Sequence, residues 1–347
     1  VWKKVSWVLV LTAAVLLPAA SAQDKPSGKK GFFSLDNWQI DLYGGWAAID
    51  PGGLNIFPQY YEKTIPFLNL ESYQYNKQIY GSNYIYSASL DARNSFKKIT
   101  TASPIGFAIR YHISRRLDLS LGLSYITRKA KSFYHATITT GSIPPNAYGT
   151  WGLDDIDVRD LTYDDISVSV KSWIPAAGIH YRFFSAGFIH GELEAAAGPA
   201  FAAFTQAYHL FDKFTFPNSY WAGNEVQGLG KGKGVGIALS GGGRLSLGLL
   251  SRFEVFVAAA YQFVSVPTLT GSLMSSRRYL DVESVPPQFT TAESTGTWRS
   301  YPGTYSRNWG RLTVDYPVIS NNPSQYPNGI DINLSGVSLR LGVSVRL

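Results

Sequence analysis

The sequence predicts an all-β fold: an antiparallel up-and-down transmembrane β-barrel of eight strands, polar inside and apolar outside. Three observations carry that expectation. The final segment, NLSGVSLRLGVSVRL from Asn333 to Leu347, places Val337, Leu339, Leu341, Val343, Val345 and Leu347 on one parity and Ser338, Arg340, Gly342, Ser344 and Arg346 on the other. A period of two gives each set its own face of a strand. The same pattern recurs in about eight segments, and short connections alternate with long ones, as in a membrane barrel.

Composition agrees. The chain is 45% hydrophobic and 14% aromatic but only 16% charged, with 33 Gly; this suits β-structure with many turns. Residues 1–22 read as a signal peptide, with Lys3 and Lys4, an apolar run from Trp7 to Leu17, and Ala20-Ser21-Ala22 as cleavage site. Residues 23–37 read as a polar linker and 38–347 as the barrel. Formal net charge is +7, and +5 (7 − 2) without Lys3 and Lys4. That excess favours anionic lipid headgroups or lipopolysaccharide, and it is too dispersed to imply nucleic acid. Absence of cysteine fits an oxidising compartment. After residue 22 no apolar run is long enough for a spanning helix, so a membrane span must be a closed barrel.

The segments follow in order. Trp38 to Ile49 sends Trp38, Ile40 and Leu42 outward and Asp41 inward. Pro104 to Ile113 sends Ile105, Phe107, Ile109, Tyr111 and Ile113 outward, with Arg110 and His112 inward. Leu117 to Arg128 turns Leu119, Leu121 and Leu123 to lipid and Asp118 and Arg128 to the lumen. Ile166 to Phe183 carries His180 and Arg182 inward, and its parity is expected to slip in a bulge at Trp173 to Pro175. Ile189 to Tyr208 holds His190, Glu192 and Glu194 inward. Val235 to Leu249 turns Ile237 and Leu239 out and Arg244 in; Phe253 to Val266 turns Val255 and Val257 out and Glu254 in. The final segment closes the set with Leu339, Leu341 and Val343 outward and Arg340 and Arg346 inward.

Pairing Ile113 with Leu117, Phe183 with Gly187 and Leu249 with Phe253 leaves three tight hairpins in which outward residues meet outward residues. Four long loops remain, at Asp50 to Ser103, Ala130 to Asp165, His209 to Gly232 and Pro267 to Asp331. The alternative is ten strands, if the Tyr-rich stretch Tyr73 to Ser87 forms a further hairpin. Aromatic girdles are expected at Trp38, Tyr111, Tyr181 and Phe253 below and at Trp46, Tyr125 and Tyr261 above.

The inward parity collects Asp41, Asp118, Glu192, Glu194 and Glu254 with Arg110, Arg128, Arg182, Arg244, Arg340 and Arg346, beside His112, His180 and His190. An eight-stranded interior is filled by side chains, so these should form an ion-paired plug rather than an ion path. This register sets His180 opposite His190 near Glu192, a set that could ligate zinc, but no metal-site spacing accompanies it. Asp154, Asp155, Asp157, Asp160, Asp164 and Asp165 crowd one loop, as a calcium-binding or simply solvated acidic segment.

The export signal, alternating segments, tight turns and terminal strand resemble the small outer-membrane barrels: the OmpA transmembrane domain and the OmpX and OmpW types. The resemblance covers the chain from Trp38 onward. It implies the outer membrane of a diderm bacterium, with lipid, lipopolysaccharide and the barrel-assembly machinery as partners. It implies no cofactor, metal or catalytic residue. A non-enzymatic scaffold presenting surface loops for binding, adhesion or envelope integrity is the expected role. The alternative is an OmpW-like channel for small hydrophobic solutes, supported if Phe204 and Val264 make the upper lumen apolar. A lipid A-modifying barrel enzyme is the third reading, with His135 and His209 as the histidines near the outer side.

Overall fold

The computed structural model of the chain describes residues 34–64, 88–140, 158–215, 221–281, 289–307 and 310–347. The expected signal peptide, most of the linker, the Tyr73 to Ser87 stretch and the acidic positions Asp154, Asp155 and Asp157 lie outside those residues. The fold is an antiparallel, up-and-down 14-stranded sheet. Its strands are β1 (Trp38–Ala48), β2 (Ala88–Ser95), β3 (Thr101–His112), β4 (Leu117–Thr140), β5 (Val158–Ala186), β6 (Ile189–Thr215), β7 (Trp221–Leu250), β8 (Phe253–Val266), β9 (Thr270–Asp281), β10 (Phe289–Arg307), β11 (Gly310–Ser320), β12 (Asn328–Gly329), β13 (Ile332–Asn333) and β14 (Gly336–Arg346). Among the described residues no helix is long and apolar enough to cross a membrane.

Eight of these strands pair in a closed cycle. β1 pairs β3, then β4, β5, β6, β7, β8 and β14 follow in turn, and β14 returns to β1. Closure leaves no unpaired edge around the cycle. The two faces are inverted relative to a soluble protein. Leu119, Leu121, Ile237, Leu239, Val257, Leu339 and Leu341 are exposed, and Leu123, Val255 and Val343 are half-buried. Their alternating neighbours Ser120, Ala238, Ala258 and Ser338 are buried. Aromatic pairs sit across adjacent strands at two levels of the outer face: Trp38 with Tyr111, centroids 4.9 Å apart, and Tyr125 with Trp173 at 4.4 Å.

At two of the three hairpins the strand register is the one the sequence predicts, with His112 opposite Asp118 and Leu247 opposite Val255, but in the second the turn differs: Leu250 rather than Leu249 pairs Phe253, after a bulge at Leu249. The third is corrected. Gly187 takes φ +58, which favours a two-residue turn, and Ala186 pairs Ile189 directly. A bulge between Arg182 and Phe184 restores parity, so His180 faces Glu194 rather than His190, which pairs Ser185. The faces survive because the displacement is an even number of residues. The bulge expected at Trp173 to Pro175 is also corrected. Trp173 stays outward and Ile174 inward, and pairing to β4 runs unbroken through Pro175. What breaks there is the other ladder. Pairing of β5 with β6 stops at Trp173–Phe201 and resumes at Ala177–Ala197. The same register sets Pro175 against Pro199, and neither residue has an N–H to donate.

The long loops are corrected most. β5 has 29 residues and β7 has 30, whereas about 9–11 tilted residues cross a bilayer. β5 therefore runs roughly 95 Å along its length at the usual strand rise, and most of the described residues in the second, third and fourth expected loops are strand. Beyond the cycle, β9 replaces β8 on β7 and leads to β10 and β11, while β2 replaces β3 on β4. Of the acidic cluster, Asp160, Asp164 and Asp165 stand on the outer part of β5.

In the outer half of β7, the run GLGKGKGVG puts Gly228, Gly230, Gly232, Gly234 and Gly236 on the inward face. A Cβ at Gly230 would lie 2.9 Å from the Trp298 ring, and one at Gly232 would strike Phe204. The missing side chains make room for rings from β6 and β10, so the strand is covered rather than weakened there.

Candidate functional site

The interior of the cycle is the candidate site, and it is built in three layers. The lowest is ionic. Arg110, 1% exposed, donates from Nη2 to Asp118 Oδ2 at 2.6 Å and Glu192 Oε2 at 2.8 Å, with Nη1 3.5 Å from Asp41. Arg244 pairs with Asp41, donates to Ser246 and Ser344, and lies 3.6 Å over the Phe256 ring. Arg182 meets Glu192 at 3.1 Å, and His112 Nδ1 lies 2.7 Å from Asp118. The three guanidinium groups Arg110, Arg182 and Arg244 thus face the three carboxylates Asp41, Asp118 and Glu192, which arrive from six strands. Strand alternation explains the convergence, since every inward position at one height meets across a narrow lumen. Arg340 pairs with Glu194, whose other oxygen is 4.0 Å from His180 Nδ1.

Some expected members stand elsewhere. Arg128 is exposed, ten positions beyond Asp118 on β4 and away from this layer. His190 bonds Ser185 at 2.9 Å beside the Gly187 turn. Arg346 and Glu254 meet at 3.5 Å at the lower rim. The shifted register separates His180 from His190, which removes the zinc-like juxtaposition. Among the described residues no group of three or more potential ligands could hold a metal ion.

Above the ionic layer lies a cavity of about 110 Å³. Tyr43, Ser124, His180 and Gln262 line its polar side, and Ile126, Ile174 and Val264 its apolar side. Over it sits an apolar plug. The chain leaves β1, turns at Gly52 (φ +59), makes a short 3-10 helix (Gly52–Asn55) and then an α-helical stretch at 56–64. Pro58 falls in the first helical turn, where a missing N–H costs nothing. Leu54, Phe57, Pro58 and Thr64 are buried on one face of this segment. Phe57 packs 5.4 Å from both Phe204 and Trp298. Three tethers hold the plug: Gly53 N–H to Asp331 at 2.8 Å, Asn55 bridging both backbone groups of Ile99, and Gln206 donating to Tyr61 at 2.9 Å. The expected apolar upper lumen is present, since Phe204 and Val264 are buried in it. Its helical stopper went unforeseen, although L-x-x-F-P-x-x-Y-x-x-T carries a helical period that could have disclosed it.

On the outer face of the extended sheet, His209 Nε2 lies 2.9 Å from Glu225 Oε1. His135 is on β4, with β5 between it and β6, so the two histidines do not share one constellation. Hydrogen bonds from Gln227 first and His209 second hold the Glu225 carboxyl below its usual range. A depressed carboxylate contributes stability above its unfolded pKa of about 4.3, lost as pH falls through the folded value. Amide protection at the outer ends of β6 and β7, relative to the unfolded chain, is therefore expected to fall as pH drops through the lowered Glu225 value and to lose that dependence in Glu225→Gln.

No family model matches the chain, and no curated protein matches it. Among solved structures it is similar to a major outer membrane protein from Thermus thermophilus, at 10% identity and a TM-score of 0.28, over 89% of this chain and 99% of that one. It is also similar to OmpT, an outer membrane protein of Vibrio cholerae, at 8% identity and a TM-score of 0.08, over 75% of this chain and 99% of that one.

Proposed function

We propose that the protein is an eight-stranded barrel of a diderm outer membrane, a non-enzymatic scaffold that presents its extended outer sheet to a surface ligand. In the cell the barrel-assembly machinery would speed its insertion, and lipid and lipopolysaccharide would surround the wall. One observation supports this reading above others: the interior is closed twice, by a balanced ionic layer below and an apolar plug above. Exposed leucines and valines around a charged interior suit hydrocarbon outside and confined polarity inside. Planar-bilayer recording is expected to show no conductance steps. Phe57→Ala should stay silent as well, since the ionic layer still blocks the path. Steady unitary currents from the native protein would overturn the scaffold reading.

A second reading, lateral release of a small hydrophobic solute, is favoured by the seam at Pro175 and Pro199. Ile174 and Ala176, which flank Pro175, line the cavity, so the unbonded stretch of wall borders the empty space. Restoring the donors with Pro175→Val and Pro199→Val should then reduce accumulation of a lipophilic dye by vesicles containing the protein. Equal accumulation with and without the protein would exclude this route.

A further inference from the structure

The outer surface of β4 to β7 changes character abruptly between successive rows of paired residues. One row reads Tyr125, Trp173, Phe201, Val235. The next outward-facing row reads Thr127, Lys171, Ala203, Lys233, and the one after it Lys129, Ser169, Thr205, Lys231. Lys129, Lys171, Lys231 and Lys233 are all exposed, and neither row contains a carboxylate. Neighbouring strands lie about 4.8 Å apart, so Lys171 and Lys233 stand roughly 10 Å apart across β6, with the hydroxyls of Ser169 and Thr205 beside them. Below the aromatic row, β6 presents Pro199, Ala197 and Ala195, a low strip between taller side chains of β4 and β7 such as Leu121 and Leu239.

We infer that this face is a binding site for the diphosphorylated headgroup of an outer-leaflet glycolipid, with its acyl chains along the β6 strip. The inference rests on the outer-membrane reading above and adds the ligand to it. Charge complementarity identifies the occupant. Four lysines with no counter-charge in their rows begin where the apolar wall ends, at the depth where a lipid's phosphates meet its chains. Two cationic groups flanking hydroxyl donors suit two phosphates on one headgroup, and neutral lipid has nothing to offer them.

Native mass spectrometry of the full folded chain in detergent, titrated with diphosphoryl lipid A, tests the site. Lys171→Gln with Lys233→Gln should weaken binding by about thirtyfold, at roughly fivefold per lysine near an anionic surface. Dephosphorylated lipid A should bind the native chain and this variant alike. Arg115→Gln with Arg116→Gln, the same charge change at the opposite end, should leave the affinity unchanged. Heat-modifiable migration confirms that each variant is folded; Lys129→Gln with Lys231→Gln replaces the first pair if that one is not. Equal affinities across the lysine variants and the native chain would overturn the site alone. A native chain that fails to insert into phosphatidylcholine vesicles would overturn the membrane reading and the site together.

Discussion

Arg110→Leu is expected to destabilise the folded protein by about 3–5 kcal/mol, the usual cost of removing one partner from a buried ionic cluster. The side chain of Arg110 is buried and touches Asp41, Asp118 and Glu192. Leucine fills part of its volume but leaves the carboxylates facing one another. Arg182 and Arg244 still reach Glu192 and Asp41, whereas Asp118 keeps only His112. Adding Asp118→Asn to Arg110→Leu should therefore recover a large part of the loss, because two guanidinium groups then again face two carboxylates. Equilibrium unfolding in urea, with the protein in lipid vesicles, reads both effects. A loss below about 1 kcal/mol for the single variant would mean that water already solvates this layer, and the ionic seal would fail as an explanation of a closed lumen.

Val257→Arg is expected to cost about 2–4 kcal/mol in vesicles, the penalty for a cation on the lipid face near the bilayer midplane. Val257 is 54% exposed and lies halfway along β8 between Phe253 and Tyr261, flanked by Leu341 of β14 and Leu245 of β7. In a water-soluble protein the same change at such an exposed position would stay within about 0.5 kcal/mol. The variant therefore separates the two solvents directly. A neutral result would show that this face meets water, and the membrane assignment would fall. Ala258→Arg, one residue on and inward, supplies the converse comparison. Ala258 is buried beside Arg244, its partner in the β7 register, so its loss would come from crowding and like charge in either solvent.

Much of the lower half was legible in the residues. Alternation assigned Leu339, Arg340 and Leu341 to their faces, and matching outward residues across short turns fixed the strand register at two of three hairpins, though the turn itself at only one of them. The third failed for a local reason: Gly187 opens a two-residue turn, and a bulge then hides the extra residue. Of the ionic layer, residue pattern supplied the members but not their partners, since contact across a lumen depends on the height at which each strand enters it. Arg128 shows the limit. Its parity matches the inward set, yet its position along β4 puts it far from every carboxylate of the layer.

The outer half was not legible, and the reason is physical. A strand announces itself by contrast between its faces, and Gly228 to Gly236 offer none because their inward face has no side chains. Phe204 and Trp298 supply the missing bulk from other strands, which only the assembled sheet reveals. The segment at Leu54 and Phe57 has a helical period to read, but its docking as a plug is a tertiary fact, since a short amphipathic turn is held only by an apolar mouth that already exists. Alone, the chain determined which side chains share a face, because a period of two is a property of the backbone. Height and the lysine rows came from the fold, because they depend on how separate strands are offset against one another.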